Sequence, residues 1–231
     1  MNKSLRILIP SLVVVLSLIL PAYAQGQEKK YRFEFFGGIN TPMDKSYEIG
    51  PPQSDVIIQG EHEFSPGGQA GVRFGIDGAR YWGQDYAYSY GSNAGRLTTS
   101  AGSFSFPTRF HQASSNLLFY PWSLDRRQFF PYVTAGVGAT FVVVSQDAIT
   151  EAMHAGMGPL KSETIFAFNA GAGVRIRLNE RAGLRLDWRD YMSRALRYGI
   201  SKSSENQLDI VFPSGGVAHQ FAGTVAFVVH F

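Results

Sequence analysis

The sequence contains no cysteine in 231 residues. That excludes a disulfide framework, a thiolate metal site and a lipid-modified N-terminal Cys. Charge is scarce as well, at 17% of residues, and neither sign dominates. Lys3 and Arg6 fall in the leader described next; without them the 21 basic residues become 19 against 18 acidic ones. A basic nucleic-acid arm is thereby excluded, and a 45% hydrophobic, 14% aromatic composition excludes disorder. Long apolar runs are missing too: beyond residue 24 nothing approaches the roughly 18 consecutive apolar residues of a spanning helix. What is plentiful is glycine (25) and aromatic side chains.

Residues 1–24 have the three parts of a secretory signal. Lys3 and Arg6 give a positive start, Ile7 to Leu20 form an apolar run, and Ala22-Tyr23-Ala24 is a small-x-small cleavage site before Gln25. The run is short for a permanent helical anchor, which takes about 20 residues. The expectation is a cleaved signal peptide over 1–24 and one exported domain over 25–231.

Downstream the sequence alternates at period two, so one strand face differs from the other. In the last segment Phe221, Val225, Phe227, Val229 and Phe231 oppose Gln220, Ala222, Thr224, Ala226, Val228 and His230. Phe166, Phe168, Ala170, Ala172, Val174, Ile176 and Leu178 oppose Asn169, Gly171, Gly173, Arg175 and Arg177. Leu184, Leu186 and Trp188 oppose Arg185, Asp187, Arg189 and Tyr191. Similar splits cover 132–143, 69–77, 85–90 and 32–40; a strand near 106–120 alternates less cleanly because Leu118 interrupts it. The total is eight strands. Short connections near 78–83, 121–128 and 179–182 alternate with long ones near 41–66, 92–104, 146–162 and 197–217. This is the layout of an all-β, eight-stranded antiparallel up-and-down transmembrane β-barrel with short periplasmic turns and four longer extracellular loops.

The direction of the greasy face decides the solvent. The second face carries Arg32, Glu34, Arg73, Asp77, Asp85, Arg175, Arg177, Arg185, Asp187 and Arg189 beside Gly and Ala. Six Arg and four acids cannot share a dry apolar core without large desolvation costs. They fit the narrow interior of an eight-stranded barrel, where small residues leave room for long ones. The apolar face then meets lipid, and ring closure satisfies the backbone. Tyr31, Tyr81, Trp82, Tyr120, Trp122, Phe129 and Phe130 near the short turns, with Tyr191 and Tyr198 near the other ends, are expected to form two aromatic girdles. The alternative is a secreted soluble β-barrel or sandwich with the Phe and Val faces as its core.

On these residues the chain resembles the small eight-stranded outer-membrane barrels of Gram-negative-type bacteria, the OmpA N-domain and OmpX-like superfamily. The main carrier is the terminal strand Val225-Ala226-Phe227-Val228-Val229-His230-Phe231. The segment Leu184 to Tyr191 is similar to the penultimate strand of many small barrels. The resemblance implies location in the bacterial outer membrane and an assembly signal at Phe227, Val229 and Phe231, read by the barrel-assembly machinery. No peptidoglycan-binding domain follows the barrel, so wall tethering is not expected.

Chemistry is harder to find. Lipid A deacylases of this architecture use a His and a Ser two apart. Here His111 and Ser114 are three apart, which sends them to opposite strand faces. His62, His111, His154, His219 and His230 show no ligand pairing, so no metal is expected. Gly136-Val137-Gly138 and Gly171-Ala172-Gly173 precede no helix and bind no phosphate, and no cofactor is expected. The constellation with physical content is internal charge: Arg32, Glu34, Arg73, Arg175, Arg185, Asp187 and Arg189 are expected to form a hydrogen-bonded plug. Loops 41–66 and 197–217, with Pro42, Pro51, Pro52, Pro66, Pro213 and mixed charges, suit lipopolysaccharide, outer-membrane lipids, a surface ligand or a partner protein. The expected role is non-enzymatic, in envelope integrity or surface interaction. A narrow solute channel and an outer-leaflet lipid-modifying enzyme are the alternatives.

Overall fold

The computed structural model describes residues 30–42, 47–48, 59–78, 81–99, 102–122, 128–154, 160–194, 196, 198–199 and 217–231. The leader expected over 1–24, Pro51, Pro52 and nearly all of loop 197–217 lie outside them. The elements are β1 (Lys30–Pro42), β2 (Tyr47–Glu48), β3 (Gln59–Phe64), β4 (Gly67–Asp77), β5 (Trp82–Thr99) and β6 (Gly102–Phe119). They continue with β7 (Phe129–Val144), a helix α1 (Gln146–His154), β8 (Glu163–Arg177), β9 (Ala182–Arg194) and β10 (Val217–His230).

Every strand pairing is antiparallel. β1 pairs with both β4 and β10, and β5 with both β4 and β6, so β1 and β4 to β10 close into an eight-stranded ring without an edge. The seam is completed where Phe231 N donates to Tyr31 O at 2.9 Å. Stagger can be followed residue by residue. Arg32 pairs with Gly75, Gly75 with Asp85, and the path runs on through Asn116, Gly136, Asn169, Tyr191 and Gln220. It returns to β1 at Pro42, ten residues above its start. Eight strands with such a stagger tilt by roughly 35–45° and leave a lumen that side chains can fill.

The pleat places the two chemistries as the alternation demands. Phe35, Phe168, Trp188, Val225 and Phe227 are exposed on the outer wall, while the charged set lies inside. Phe168, Leu186 and Phe227 therefore do not converge on a shared core, and the soluble alternative fails. Leu118 is no interruption: it packs inside with Tyr120, Phe130 and Tyr132 at the periplasmic end.

Three expectations need correction. Residues 92–104 are not a long loop. The β5–β6 hairpin keeps its ladder up to Thr99↔Gly102, with only residues 100 and 101 between. Over 92–96 the buried positions are Asn93 and Gly95 and the exposed ones Ser92, Ala94 and Arg96, so no greasy face marks the strand. Second, loop 41–66 contains β3, which continues β4 along β5. The join at Ser65–Pro66 holds one residue more than the facing stretch of β5, a bulge that suits a proline without an N–H. Ser65 N still donates to Ala94 O at 2.8 Å. Third, loop 146–162 begins with α1, whose first turn is capped by Ser145 Oγ accepting from Ala148 N at 3.2 Å.

The aromatic girdles are also rearranged. Tyr31, Tyr81, Trp82, Trp122 and Phe129 are exposed at the periplasmic end. Tyr120, Phe130 and Tyr191 instead turn inward and are buried, and Tyr198 is buried beside the start of β8. The upper outer wall carries Tyr88, Tyr90, Phe141, Phe166 and Phe221. Each inward aromatic shares its parity with lumen residues on its own strand, and the pleat admits no exception for ring size.

Candidate functional site

The candidate site is the lumen. Alternate residues of β1, β4, β5, β8 and β9 bring Arg32, Glu34, Arg73, Asp77, Asp85, Arg175, Arg185, Asp187 and Arg189 together, all buried. Small residues make this possible. A side chain at Gly75 would occupy the space of the Arg32 guanidinium, and one at Gly173 that of the Tyr132 hydroxyl.

The middle of the lumen holds three cations and three anions. Glu34 accepts from Arg73 Nη1 at 2.7 Å, from Arg32 Nε at 3.0 Å and from Arg185 Nη1 at 3.0 and 3.2 Å. Asp187 accepts from Arg185 Nη2 at 2.7 Å and Arg189 Nε at 2.6 Å. Asp85 accepts from Arg185 Nη2 at 3.0 Å, Arg189 Nη2 at 3.4 Å and Asn116 Nδ2 at 2.6 Å. Tyr132 joins the set: Arg185 Nε donates to its oxygen at 2.6 Å, and its hydroxyl donates to Asp187 Oδ2. The Arg185 guanidinium lies 4.6 Å from the centre of the same ring. Arg185 thus links β9 to β1, β5 and β7, tying opposite walls.

Nearer the periplasmic mouth the pattern changes. Asp77 accepts from Arg32 Nη1, from Arg175 Nη1 at 2.8 Å and from the Tyr120 hydroxyl at 3.1 Å. Arg177 has no carboxylate within 4.0 Å among the described residues; its guanidinium lies 4.9 Å from the centre of the Phe130 ring.

All seven residues singled out from the sequence face this lumen. Six of them meet through Glu34 and Asp187, whereas Arg175 joins only through Asp77. Sequence reasoning had noted Asp77 and Asp85 as inner-face charges without naming them as members. Tyr132, Asn116 and Tyr120 were missed as partners. Parity puts all of these inside; which charge meets which depends on stagger. Phe227 and Phe231 are exposed on the outer face of β10 and beyond its end, with Val229 partly covered between them. His111 faces outward, 2.7 Å from the Tyr88 hydroxyl, while Ser114 is buried inside, so the two cannot share a proton.

At the extracellular end Leu160, Ala148 and Tyr198 are buried, with Lys161 N donating to Tyr198 O at 2.8 Å and Tyr198 N to Glu163 Oε2 at 3.2 Å. Burial pushes the Tyr198 phenol above its ordinary value.

A closed antiparallel ring, greasy outside and charged inside, is matched by a family model. The outer membrane protein beta-barrel domain model covers residues 11–210. The chain belongs to this family. It is accordingly a protein of the bacterial outer membrane. No curated protein matches the sequence. Solved structures are similar in fold. The outer membrane protein OprG of Pseudomonas aeruginosa matches with TM-score 0.61 at 15% identity, over 87% of this chain and 95% of that one. Neisserial surface protein A (NspA) matches with TM-score 0.50 at 10% identity, over 89% and 100%. At such identities the likeness is one of fold.

Proposed function

We propose that this family member is a non-enzymatic wall protein of the outer membrane whose lumen is a structural plug and whose extracellular loops contact the surroundings. One observation carries the reading: Glu34 and Asp85 have 0% exposure in mid-lumen and Arg185 1%, so side chains fill the cross-section there. An ion-pair set joining opposite walls stiffens a narrow ring, because each strand is held through the interior as well as through its neighbours.

The remaining parts of the proposal follow from position. Phe227, Val229 and Phe231 on the terminal strand would be read by the barrel-assembly machinery after removal of residues 1–24. The tall β5–β6 hairpin and the loops beside it would meet lipopolysaccharide, outer-membrane lipids, or a surface ligand or partner protein.

Arg185→Ala tests the plug. Heat-modifiable gel migration should show the compact unboiled species lost at a clearly lower temperature, while planar-bilayer conductance stays at background. A large conductance gain with unchanged melting would replace the plug by a gated solute path.

A further inference from the structure

Guanidinium and carboxylate balance three to three in the middle of the lumen, but not at its periplasmic mouth. Arg32 and Arg175 share a single carboxylate there, Asp77, with Arg32 also bound to Glu34 above, while Arg177 beside them has no carboxylate within 4.0 Å among the described residues. Arg175 and Arg177 lie 5.5 and 4.9 Å from the centre of one ring, Phe130, so two cations crowd one aromatic. Lys30, exposed at the rim, pairs in register with Asp77 itself. Like charges gathered in a partly dry recess are unfavourable unless something negative joins them.

Two polar atoms point to what is missing. Arg32 Nη2 and His230 Nε2 are buried and have no hydrogen-bond partner; in the middle Arg73 Nε and Arg189 Nη1 are also unpartnered, but no imidazole among the described residues stands beside them. His230 follows Arg32 around the seam, as its register partner, and its Nε2 is 3.5 Å from where a side chain at Gly183 would begin. Gly183 is also the register partner of Arg177. A position without a side chain therefore separates a half-buried guanidinium from an unpartnered imidazole nitrogen. Exposed Tyr31, Trp82, Trp122 and Phe129 ring this end of the barrel and mark the inner-leaflet head-group level.

We propose that the periplasmic mouth of the lumen is a phosphate-binding site formed by Arg175, Arg177 and His230, with Arg32 behind them. Guanidinium forks match the planar spacing of phosphate oxygens and remain charged at any working pH. The imidazole adds a directed donor, and Lys30 draws anions to the rim. The phosphate belongs to an inner-leaflet phospholipid or to a free phosphate ion. The proposal goes beyond the plug and holds whether or not the lumen conducts.

The test uses the full barrel in octyl glucoside micelles, which carry no phosphate. Exchanging chloride for inorganic phosphate at fixed ionic strength should raise the heat-modifiability midpoint by several degrees, as mass action requires of a ligand bound only by the folded state. Arg177→Gln and His230→Gln should lose that rise. Without phosphate, Arg177→Gln should melt slightly above the unaltered protein, because it removes a crowded cation. No phosphate effect, an equal effect in Arg177→Gln, or a lower melting point for that variant without phosphate would overturn the site. A second arm places the protein in phosphatidylglycerol nanodiscs free of inorganic phosphate. An unaltered protein that melts above Arg177→Gln there, reversing their phosphate-free order, assigns the phosphate to lipid; a phosphate response confined to the micelle titration assigns it to the free ion. These melting responses are separate from conductance, so the site and the plug can fail independently.

Discussion

The middle of the lumen and its periplasmic mouth are built from the same residue types on the same strands, yet they differ in balance. In the middle, Arg73, Arg185 and Arg189 face Glu34, Asp85 and Asp187, and both oxygens of Glu34 and one each of Asp85 and Asp187 have two or more donors. At the mouth, Arg32 and Arg175 share the one carboxylate of Asp77, and Arg177 lies against the Phe130 ring. A buried charge set far from water must satisfy itself, whereas one near water can leave a valence for something else. Composition alone does not separate structure from binding here; local balance does.

The largest expected effect comes from unbalancing the middle. Glu34→Gln leaves three buried guanidinium groups without their shared anion and should cost about 3–5 kcal/mol. Urea unfolding followed by gel migration measures this, and an unchanged midpoint would mean the middle set contributes no stability. Next comes a matched pair of hydroxyls. Tyr132→Phe removes the bridge between Arg185 and Asp187 and should cost about 1.5–3 kcal/mol, the range for hydrogen bonds to charged groups. Tyr120→Phe removes one donor to Asp77 at 3.1 Å, in the looser region, and should cost about 1.5 kcal/mol, the low end of that range. Equal costs for the two would erase the distinction between middle and mouth. Arg177→Gln is the smallest change: in phosphate-free micelles it should alter stability by less than about 1 kcal/mol, in the stabilising direction. A clear loss would show that the mouth is balanced after all.

Much of this architecture was legible in the sequence, and the reasons are physical. Between two different solvents, lipid outside and a charged lumen inside, alternation must be strict, so β8, β9 and β10 can be read directly. The signal fades where neither face carries large apolar residues. Ser92, Asn93, Ala94, Gly95 and Arg96 in the upper β5–β6 hairpin are all small or polar, and its strand character is invisible as periodicity. The girdle error has another origin. Tyr120, Phe130 and Tyr191 were grouped by nearness to strand ends, although Tyr132 and Arg189 on the same faces already placed Phe130 and Tyr191 inside. The pairing of Asp77 with Arg175, or of Asp85 with Arg185, could not be read. It depends on a ten-residue stagger that no single strand encodes.

One feature of that pairing bears on how the molecule is made. Glu34 and its partner Arg185 stand 151 positions apart along the polypeptide. Three of the four interior acids lie in β1, β4 and β5, and three of the five buried arginines in β8 and β9. Arg32 and Arg73 reach Glu34 and Asp77 within the first strands, but Arg175, Arg185 and Arg189 join only when the final hairpins arrive beside them. Until then the nascent sheet carries three acidic groups against two arginines on the surface destined to be enclosed. Full neutralisation thus coincides with completion of the circle, and a polypeptide cut short before residue 182 would be denied it.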